Sequence, residues 1–392
     1  MIRIGLGVTD RKIWTGGYNY LLNLVKVSSE HLAEELRCVV FFGDDVEEVD
    51  VARFAEVPGT QVVRSPAFRQ SRRERAFANA LLLGADRTIG DLFDEHRIDV
   101  VIEAAQFFGW RLRQPVIAWM ADFQHRLLSE LFSSRAYWRR ELGFRVEIWS
   151  GRGIMLSSED ARLHCERFYP STRGRTHVVR FAIAAKPRLS FDEVRRVADS
   201  YDLPADYFFL PNQFWRHKNH ECVIRALGLL RQSGVKITVA ASGNPVDRGD
   251  PDHWNRLRRL IAEVGVAENF RLLGMIPDPH VTALLQGCAA LINPSISEGW
   301  STTVEEAKAA GTPMILSDLP VHREQAPAAD FFDPSRCEEL AALLRSYPSL
   351  DKGRRAVSAI KAEASSRAAV ARYAQDFLTA IRAVGRAGSP GR

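Results

Sequence analysis

The sequence predicts an α/β protein made of two Rossmann-like, doubly wound domains that face each other across a cleft. The chain has 392 residues, which exceeds one typical domain and suits two domains of ordinary size. Short runs rich in branched apolar residues alternate with helical patterns, and this alternation favours parallel sheets covered by helices. The pattern breaks off near residue 183 and starts again at Tyr207, which indicates that the same architecture occurs twice.

The first domain is predicted to span residues 1–185. Its strands are expected at Ile2–Val8, Arg37–Phe42, Val100–Glu103, Val116–Met120 and Arg152–Ser157. Helices are expected between them at Tyr18–Glu34 and Ala76–His96, where leucines and alanines recur at helical spacing. Ligands of open α/β sheets collect beyond the carboxyl ends of the strands, so a site is expected in the loops that follow strands.

A linker is predicted at residues 186–206, where prolines enclose a charged stretch. The second domain is predicted at residues 207–363, with strands at Tyr207–Leu210, Val235–Ala241, Phe270–Leu273, Ala289–Ile292, Pro313–Leu316 and Phe331–Phe332. Residues 364–392 are predicted to form a C-terminal helix, Ala364–Val384, that can cross back to the first domain, and a frayed tail from Gly385.

The composition indicates a globular protein that stays in the cytoplasm. No apolar run reaches the roughly 18 residues that are needed to cross a bilayer. The N-terminal sequence MIRIGLGV begins a strand directly and lacks the order of a signal peptide. The five cysteines are scattered and form no CxxC pair, which predicts buried reduced thiols. The ten histidines form no HxH or HExxH pattern, so neither a metal site nor another bound cofactor is expected.

Two segments of the first domain are rich in arginine, Arg64–Ala76 (RSPAFRQSRRERA) and Arg135–Arg145 (RAYWRRELGFR). One interpretation is a pair of solvated helix faces. The other is contact with an anionic membrane surface or with an acidic, lipid-linked ligand. Both interpretations remain open at this point. No recognised nucleic-acid-binding module accompanies the charge, so nucleic acid is not an expected partner.

The strongest motif lies between residues 294 and 313, where a strand ends in a Pro-Ser turn and a helix follows. Thr302 and Glu305 have the spacing of a capping box, which predicts where the helix begins. Gly299 allows a ligand to approach the backbone, and the free N–H groups of the first turn can hold a phosphate or a sugar hydroxyl. Glu298 precedes the helix. Glu306 lies about one turn into it, where a carboxylate can accept both hydroxyls of a ribose; a solvated helix with incidental glutamates is the alternative.

Two further loops follow the first strand of each domain. In the second domain, Pro211–His220 places Lys218 at a helix start, next to Asn219 as a candidate N-cap. An ammonium group there can bind a diphosphate, and an ordinary exposed lysine is the alternative. In the first domain, Gly16 and Gly17 stand at the start of the first helix, where tandem glycines can present amides to a phosphate.

The stretch Glu298–Pro313 resembles the Glu-x7-Glu signature and the following EAxAAGxP segment of the retaining glycosyltransferases with the GT-B fold, specifically those of family 4. The resemblance extends through most of the second domain, including Phe270–Gly274 and Ser317–Pro320. It implies a retaining, metal-independent transfer of a sugar from a nucleoside diphosphate sugar. In such a site Glu306 would hold the ribose and Glu298 the donor sugar.

The same resemblance assigns the other parts of a donor site. The donor-binding residues that it implies are Gly16, Gly17, Asn212, Lys218, Ile276, Glu298, Gly299, Trp300, Ser301, Thr302, Thr303 and Glu306. The chain departs from the family at Asn212, where members carry an arginine six residues before the lysine. The sequence leaves open whether Arg216 supplies the missing guanidinium or Asn212 makes a neutral contact instead.

Family members commonly place a His or an Asp after a strand of the first domain, near the reacting carbon or the acceptor hydroxyl. Here the segment WMADFQH offers Asp122 and His125, and the sequence does not decide between them. A helix-capping Asp122 with a packing His125 is the structural alternative. In the implied mechanism Lys218, helped by Arg216 and by loop amides, stabilises the departing diphosphate, and the leaving phosphate takes the proton of the acceptor.

The expected acceptor is a saccharide or a lipid-linked saccharide. The resemblance and the basic segments together suggest polysaccharide or cell-envelope glycan biosynthesis, in the cytoplasm or peripheral to the inner face of the cytoplasmic membrane. Two alternatives share the architecture. A nucleotide-sugar 2-epimerase or hydrolase would need no acceptor, and a non-catalytic nucleotide-sugar-binding protein is conceivable because position 212 lacks the arginine.

Overall fold

A computed structural model describes residues 1–247, 249–347 and 352–387 of the chain. The chain divides into two compact units. The first comprises Met1–Phe123, Ser134–Phe181 and Val370–Arg392, and the second comprises Gln124–Ser133 and Ala182–Ala369. Of the tail that was predicted to fray, residues 385–387 are helical and residues 388–392 lie outside the described part.

The strands in chain order are β1 Ile2–Gly7, β2 Leu36–Phe42, β3 Gln61–Arg64, β4 Val100–Ala104, β5 Val116–Trp119, β6 Gly153–Leu156, β7 Thr176–Val178, β8 Phe208–Leu210, β9 Val239–Ser242, β10 Phe270–Gly274, β11 Leu291–Asn293, β12 Met314–Ser317 and β13 Asp330–Phe332. The α-helices are α1 Thr15–His31, α2 Glu48–Ala55, α3 Arg73–Leu82, α4 Arg87–Glu95, α5 Gln124–Leu127, α6 Ser134–Trp149, α7 Glu159–Phe168, α8 Phe191–Asp199, α9 His220–Gln232, α10 His253–Glu263, α11 Asp278–Gly287, α12 Thr302–Ala310, α13 Pro320–Gln325, α14 Cys337–Ser346 and α15 Lys352–Ala387.

The first unit is built on a parallel seven-stranded sheet with the order β3-β2-β1-β4-β5-β6-β7. Every strand predicted for this half of the chain is present. The sequence analysis missed β3 and β7, which have four and three residues. Such short, half-buried strands offer too few residues for a pattern to show.

The prediction of a single helix at Ala76–His96 is wrong, because two helices, α3 and α4, occupy this range. Gly84 separates them with a φ of +90°, a left-handed conformation that favours glycine. Asp86 then caps α4, since its carboxylate accepts a hydrogen bond of 3.3 Å from the amide of Ile89. The helical spacing of apolar residues continues through the break between α3 and α4, so the sequence pattern did not reveal where α4 begins.

The second unit contains a parallel six-stranded sheet with the order β10-β9-β8-β11-β12-β13. The strand order reverses between β8 and β11, and the loops after strands at such a switch point are where ligands of open α/β sheets bind. Helix α8 lies in the segment that was expected to be a linker. It begins with a capping box formed by Ser190 and Glu193, and it packs against α11.

The C-terminal helix α15 contributes to the core of the first unit. Its residues from Val370 onward belong to that unit, and Val370, Tyr373, Phe377 and Ile381 are buried there. The ring of Tyr373 contacts the ring of Phe181 at 5.8 Å. The spacing of three or four residues gives this part of the helix one continuous apolar face.

Two general features bear on the expectations from composition. The five cysteines are free thiols, as predicted; four are buried and Cys337 is partly exposed. Among the described residues, no helix combines the length and the apolar character that crossing a membrane requires.

Candidate functional site

The two loops at the switch point of the second sheet form the centre of the candidate site. The loop after β8 leads through a 3-10 turn, Arg216–Lys218, into α9, and the loop after β11 leads into α12. A backbone hydrogen bond of 2.8 Å from the amide of Ile296 to the carbonyl of His217 joins the two loops. Side chains far apart in sequence are therefore held together at the carboxyl edge of the sheet.

Lys218 and Glu298 form the ion pair at this centre. The ammonium nitrogen of Lys218 lies 2.5 Å from Oε1 of Glu298, and the two side chains are 13% and 7% exposed. The hydroxyl of Ser295 donates to the same oxygen at 2.7 Å. Burial is the largest single effect and would raise the pKa of Glu298, but the charge of Lys218, its hydrogen bond and smaller nearby electrostatic effects together outweigh burial and lower this pKa to about 2. The carboxylate is therefore charged at neutral pH.

A buried hydrogen-bond chain supports this ion pair from β12 and α13. The hydroxyl of Ser317 donates to the carbonyl of Ser295 at 2.5 Å, and Nδ1 of His322 lies 2.9 Å from the carbonyl of Ser317. Burial lowers the pKa of His322, against the opposing effect of the Glu298 charge, so the ring is neutral. Nδ1 then carries the proton, and Nε2 is a buried acceptor without a partner among the described residues.

Helix α12 begins where the motif predicted, but the predicted capping box of Thr302 and Glu305 is wrong. The N-cap residue is Ser301, and its side chain makes no capping bond. Glu305 is buried and instead accepts bonds from Lys308 at 2.8 Å and from Gln325 at 2.9 Å. Gln325 also accepts a bond of 3.1 Å from the amide of Ser301, so a tertiary contact holds the helix start.

The first turn of α12 retains the features of an anion site. The amides of Thr302, Thr303 and Val304 have no acceptor within the helix, as at any helix N-terminus. Thr302 is exposed and Thr303 is half-buried. Their N–H groups and the positive end of the helix dipole favour a phosphate or a sugar oxygen. Gly299 precedes this turn in the loop after β11.

Asn212 is buried beneath the ion pair rather than exposed at its surface. It is 3% exposed, and its amide contacts the side chains of Asn293 and Thr303, both at 3.4 Å. Arg216 is directed elsewhere. Its guanidinium lies 3.6 Å from Asp250. The structure thus gives Arg216 an acidic partner of its own.

Glu306 lines an indentation on the other side of α12. The indentation is shallow and open to solvent, and its lining includes Lys186, Thr282 and Gln286. Lys186 donates to the hydroxyl of Thr282 at 3.0 Å. Burial raises the pKa of Glu306, and the charge of Lys186 opposes this effect. Thr282 and Gln286 are engaged by hydrogen bonds within the protein, so the carboxylate of Glu306 is the group that can accept both hydroxyls of a diol such as ribose.

The neighbouring apolar candidates are anchored to the core. Ile276 is partly buried and packs against the cluster that includes Leu284 and Leu291. Trp300 lies in the loop before α12, and the ammonium of Lys308 is 5.9 Å from its ring centre. Both residues therefore have fixed positions beside the loops that would contact a ligand.

In the first unit, Gly16 and Gly17 lie in the first turn of α1, which starts after Trp14. A Cβ atom on Gly17 would lie 2.2 Å from the Trp14 ring. The Trp14 ring stacks on Trp119 at 5.4 Å, and Tyr20 stacks on the Trp119 ring at 3.7 Å. Gly17 thus permits an aromatic stack, and the first-turn amides have no acceptor within the helix.

The two candidates for the reacting centre occupy different environments. Asp122 belongs to the first unit and forms an ion pair of 2.8 Å with Arg140. His125 lies on the short helix α5 of the second unit, where it is fully buried and its ring faces that of Phe132 at 6.4 Å. These environments do not assign either residue to a reaction.

The sequence analysis missed the residues that support the site from a distance. Ser295, Ser317 and His322 hold Glu298, and Lys186 adjoins Glu306. Ser295 stands in the Pro-Ser turn of the motif, so its position was a usable signal. The contacts of His322 and Lys186 arise from tertiary structure, and no local sequence pattern predicts them.

Solved structures with the same architecture define the fold class. The chain is similar to a glycosyltransferase from Rickettsia africae over 100% of this chain and 99% of that chain, with a TM-score of 0.69 and 13% identity. It is also similar to HepE of Anabaena, solved with UDP and glucose, over 98% and 100% of the two chains, with a TM-score of 0.70 and 14% identity. Likeness at this identity shows the fold alone, and it confirms that the fold is GT-B.

The sequence comparisons match parts of the chain. Residues 193–363, all in the second unit, match the model of the glycosyl transferases group 1. The O-antigen chain mannosyltransferase RfbU of Salmonella typhimurium is 28% identical over 119 residues, which are 30% of this chain and 31% of that protein. A 2-deoxystreptamine glucosyltransferase of Streptomyces kanamyceticus is 27% identical over 100 residues, 26% and 23% of the two chains. Each alignment thus spans less than a third of the relative.

Proposed function

We propose that this protein is a retaining glycosyltransferase that transfers a sugar from a nucleoside diphosphate sugar to a saccharide or lipid-linked saccharide. The observation that carries the proposal is the buried Lys218–Glu298 pair beside the first turn of α12, in the segment that matches the glycosyl transferase model. A cation, a charged carboxylate and unpaired helix amides together suit a diphosphate joined to a polyhydroxylated ring.

Each group has a proposed role in the reaction. Lys218 and the first-turn amides of α12 stabilise negative charge on the departing diphosphate, and no metal ion is required. Glu298 accepts hydrogen bonds from hydroxyl groups of the donor sugar, and Glu306 accepts hydrogen bonds from the ribose hydroxyls. The acceptor hydroxyl attacks the anomeric carbon from the face that the diphosphate leaves, and the leaving phosphate oxygen takes its proton. The anomeric configuration is therefore retained.

The proposed membership of family 4 and the proposed role of Asn212 rest on resemblance as well as on geometry. The spacing of Glu298 and Glu306 suits membership of family 4, and Asn212 replaces the arginine expected there. We place Asn212 as a buried support for Thr303 and leave the diphosphate to Lys218. The partial similarity to an O-antigen chain mannosyltransferase supports a saccharide acceptor and a role in polysaccharide or cell-envelope glycan biosynthesis.

A thermal-shift screen with UDP-, GDP-, ADP- and dTDP-sugars tests the donor site. One base series should raise the melting temperature of the wild type, because a ligand that binds only the folded state stabilises it by mass action. At a ligand concentration of about 100 times Kd, the free energy of unfolding rises by about 2.7 kcal/mol. Glu306→Ala should lose most of this shift. Glu324→Ala, a carboxylate to which no role at the donor site is assigned, is the matched control and should keep it.

The products distinguish the proposed activity from its rivals. Incubation of the identified donor with oligosaccharide acceptors should give a glycoside with retained anomeric configuration by NMR, even in excess EDTA. Conversion of the donor without acceptor would identify the epimerase or hydrolase. Tight donor binding with no product from any acceptor would favour a binding protein, and absence of any nucleotide-induced shift would overturn the donor site.

A further inference from the structure

Helix α6 of the first unit exposes a stripe of large apolar and basic side chains. Arg135, Trp138, Leu142, Arg145 and Trp149 follow one another at intervals of three and four residues and therefore share one face. Trp138, Leu142 and Trp149 are 63%, 47% and 72% exposed. Single exposed apolar residues are normal, but three on one helix face form an apolar surface of the kind that binds a partner or a membrane.

The apolar surface continues from α6 onto the end of α3. Val146 of α6 and Ala80 of α3 pack into one cluster, so the two helices are neighbours. Next to this cluster the Trp149 ring contacts the Trp110 ring at 5.9 Å. Helix α3 ends here with two strongly exposed leucines, Leu82 at 78% and Leu83 at 65%. We call the five residues Leu82, Leu83, Trp138, Leu142 and Trp149 the aromatic patch.

The charges around the aromatic patch are positive. Arg135, Arg139 and Arg145 are exposed on α6. The guanidinium of Arg111 also lies over the Trp110 ring at 4.4 Å from its centre.

Both acids of α6 are turned inward. The side chain of Glu141 is fully buried and accepts a bond of 2.6 Å from the hydroxyl of Tyr169, while Glu147 is 6% exposed. Glu141 also holds one nitrogen of Arg145, which itself stays 60% exposed. The outer face of α6 thus carries apolar and cationic groups without an exposed carboxylate.

The other arginine-rich segment has a different character. Arg64 pairs with Glu48, and Arg69 pairs with Asp44. These guanidinium groups are satisfied within the fold. Residues 64–76 also include no exposed large apolar side chain, whereas α6 exposes three, so of the two candidate segments for membrane contact the structure favours α6.

We propose that the aromatic patch docks on the surface of an anionic lipid bilayer. Indole rings prefer the headgroup level of a membrane, where an apolar body and a polar N–H are both satisfied. Leucines add apolar area to such a contact, and arginines add attraction to anionic headgroups. The bilayer is favoured over a protein partner for two reasons. Helix α6 has no exposed acidic side chain, and its exposed arginines adjoin the apolar side chains of the aromatic patch. The proposal does not depend on the enzymatic activity.

Flotation of the full-length protein with lipid vesicles tests the proposal. The wild type should float with vesicles of phosphatidylcholine and phosphatidylglycerol and stay in solution with phosphatidylcholine alone. Added salt should weaken the binding, since salt screens the arginines. On binding, tryptophan emission should shift to the blue as the indoles leave water.

Two variants separate the apolar contribution from the charge contribution. Trp138→Ser with Trp149→Ser should lower the vesicle partition coefficient at least about tenfold, because both indoles insert. Arg135→Glu with Arg139→Glu should lower it by about the same factor through reversed charge. Leu163→Ser removes a side chain that is 56% exposed on α7 of the same unit, and this control should bind like the wild type.

Folding of every variant is checked by its circular dichroism and its unfolding transition. The proposal is overturned if the wild type does not float with anionic vesicles, or if both double variants float as well as the wild type. It is also overturned if light scattering shows a wild-type dimer that the tryptophan variant converts to a monomer, because the patch would then belong to a second copy.

Discussion

The charge of a single carboxylate, Glu298, links the candidate site to the stability of the second unit. A buried carboxylate is costly unless a partner and hydrogen bonds compensate it. Lys218 and Ser295 supply both here, and the pKa of Glu298 falls to about 2 from an ordinary value of 4.5. The folded state therefore prefers the ionised form more than the unfolded chain does.

This preference predicts a pH dependence. Because the pKa is lower in the folded protein, the stabilisation is complete above the unfolded pKa and is lost as the pH falls towards the folded one. Between about pH 6 and about pH 3, the wild type should lose about 2 kcal/mol of unfolding free energy that Glu298→Gln does not lose. Urea unfolding at each pH measures the difference, and parallel curves for the two proteins would contradict it.

At the same scale, the sequence indicated which residues matter but not how they are held. The motif spacing placed Glu298, Lys218 and Thr303 in neighbouring loops, and the ion pair and the buried Asn212 contact are consistent with that placement. It could not show that Arg216 is engaged by Asp250, since an exposed arginine can reach many partners. Side-chain pairing depends on tertiary distances, which local patterns do not contain.

At the scale of elements, strand existence was predictable and helix starts were less so. A central parallel strand is buried on both faces and reads as an apolar run, so such strands stood out in both sheets, whereas the short, half-buried β3 and β7 did not. The predicted capping box failed at α12 because Gln325 and Lys308, both outside the first turn, hold Glu305. The break between α3 and α4 was hidden because its signal is a single Gly84 and a single Asp86 within a periodic stretch.

The start of α1 offers a matched pair of substitutions. Alanine is favoured over glycine in helices by about 1 kcal/mol, which alone would make either replacement stabilising. A Cβ atom at Gly16 meets nothing closer than 3.8 Å, whereas one at Gly17 would lie 2.2 Å from the Trp14 ring. Gly16→Ala should therefore be neutral or stabilising. Gly17→Ala should destabilise by about 1–3 kcal/mol, because the indole must leave its stack on Trp119.

Urea unfolding gives the two stability changes, and near-ultraviolet circular dichroism reports the aromatic stack. Gly17→Ala should alter the aromatic signal of Trp14 and Trp119, and Gly16→Ala should leave it intact. Equal effects of the two substitutions on stability and on the aromatic signal would show that the stack does not depend on glycine at position 17.

At the scale of the whole molecule, each unit is assembled from distant parts of the chain. The first unit needs the end of α15, whose Tyr373 and Phe377 are buried in it, although its sheet is complete by residue 178. The sequence analysis expected only that the C-terminal helix can cross back to the first domain. The assignment of Gln124–Ser133 to the second unit carries no comparable signal, since the segment is short and has no periodic pattern.

This arrangement predicts a localised effect of Phe377→Ala. Removing a fully buried phenylalanine typically costs about 3–5 kcal/mol, through lost burial and the cavity that remains. Hydrogen exchange should accelerate in β1, β4 and β6 of the first unit, while β8 and β11 keep their protection. The nucleotide-induced thermal shift should persist, because the donor-site residues of the second unit are unchanged.

The control for this substitution lies on the same helix. Ile360 is 71% exposed, so Ile360→Ala should change neither the exchange rates nor the melting temperature appreciably. If Phe377→Ala instead accelerated exchange equally in both sheets, the two units would unfold as one cooperative body. The loss of unfolding free energy would then extend to the donor site, and truncation of α15 would abolish nucleotide binding as well.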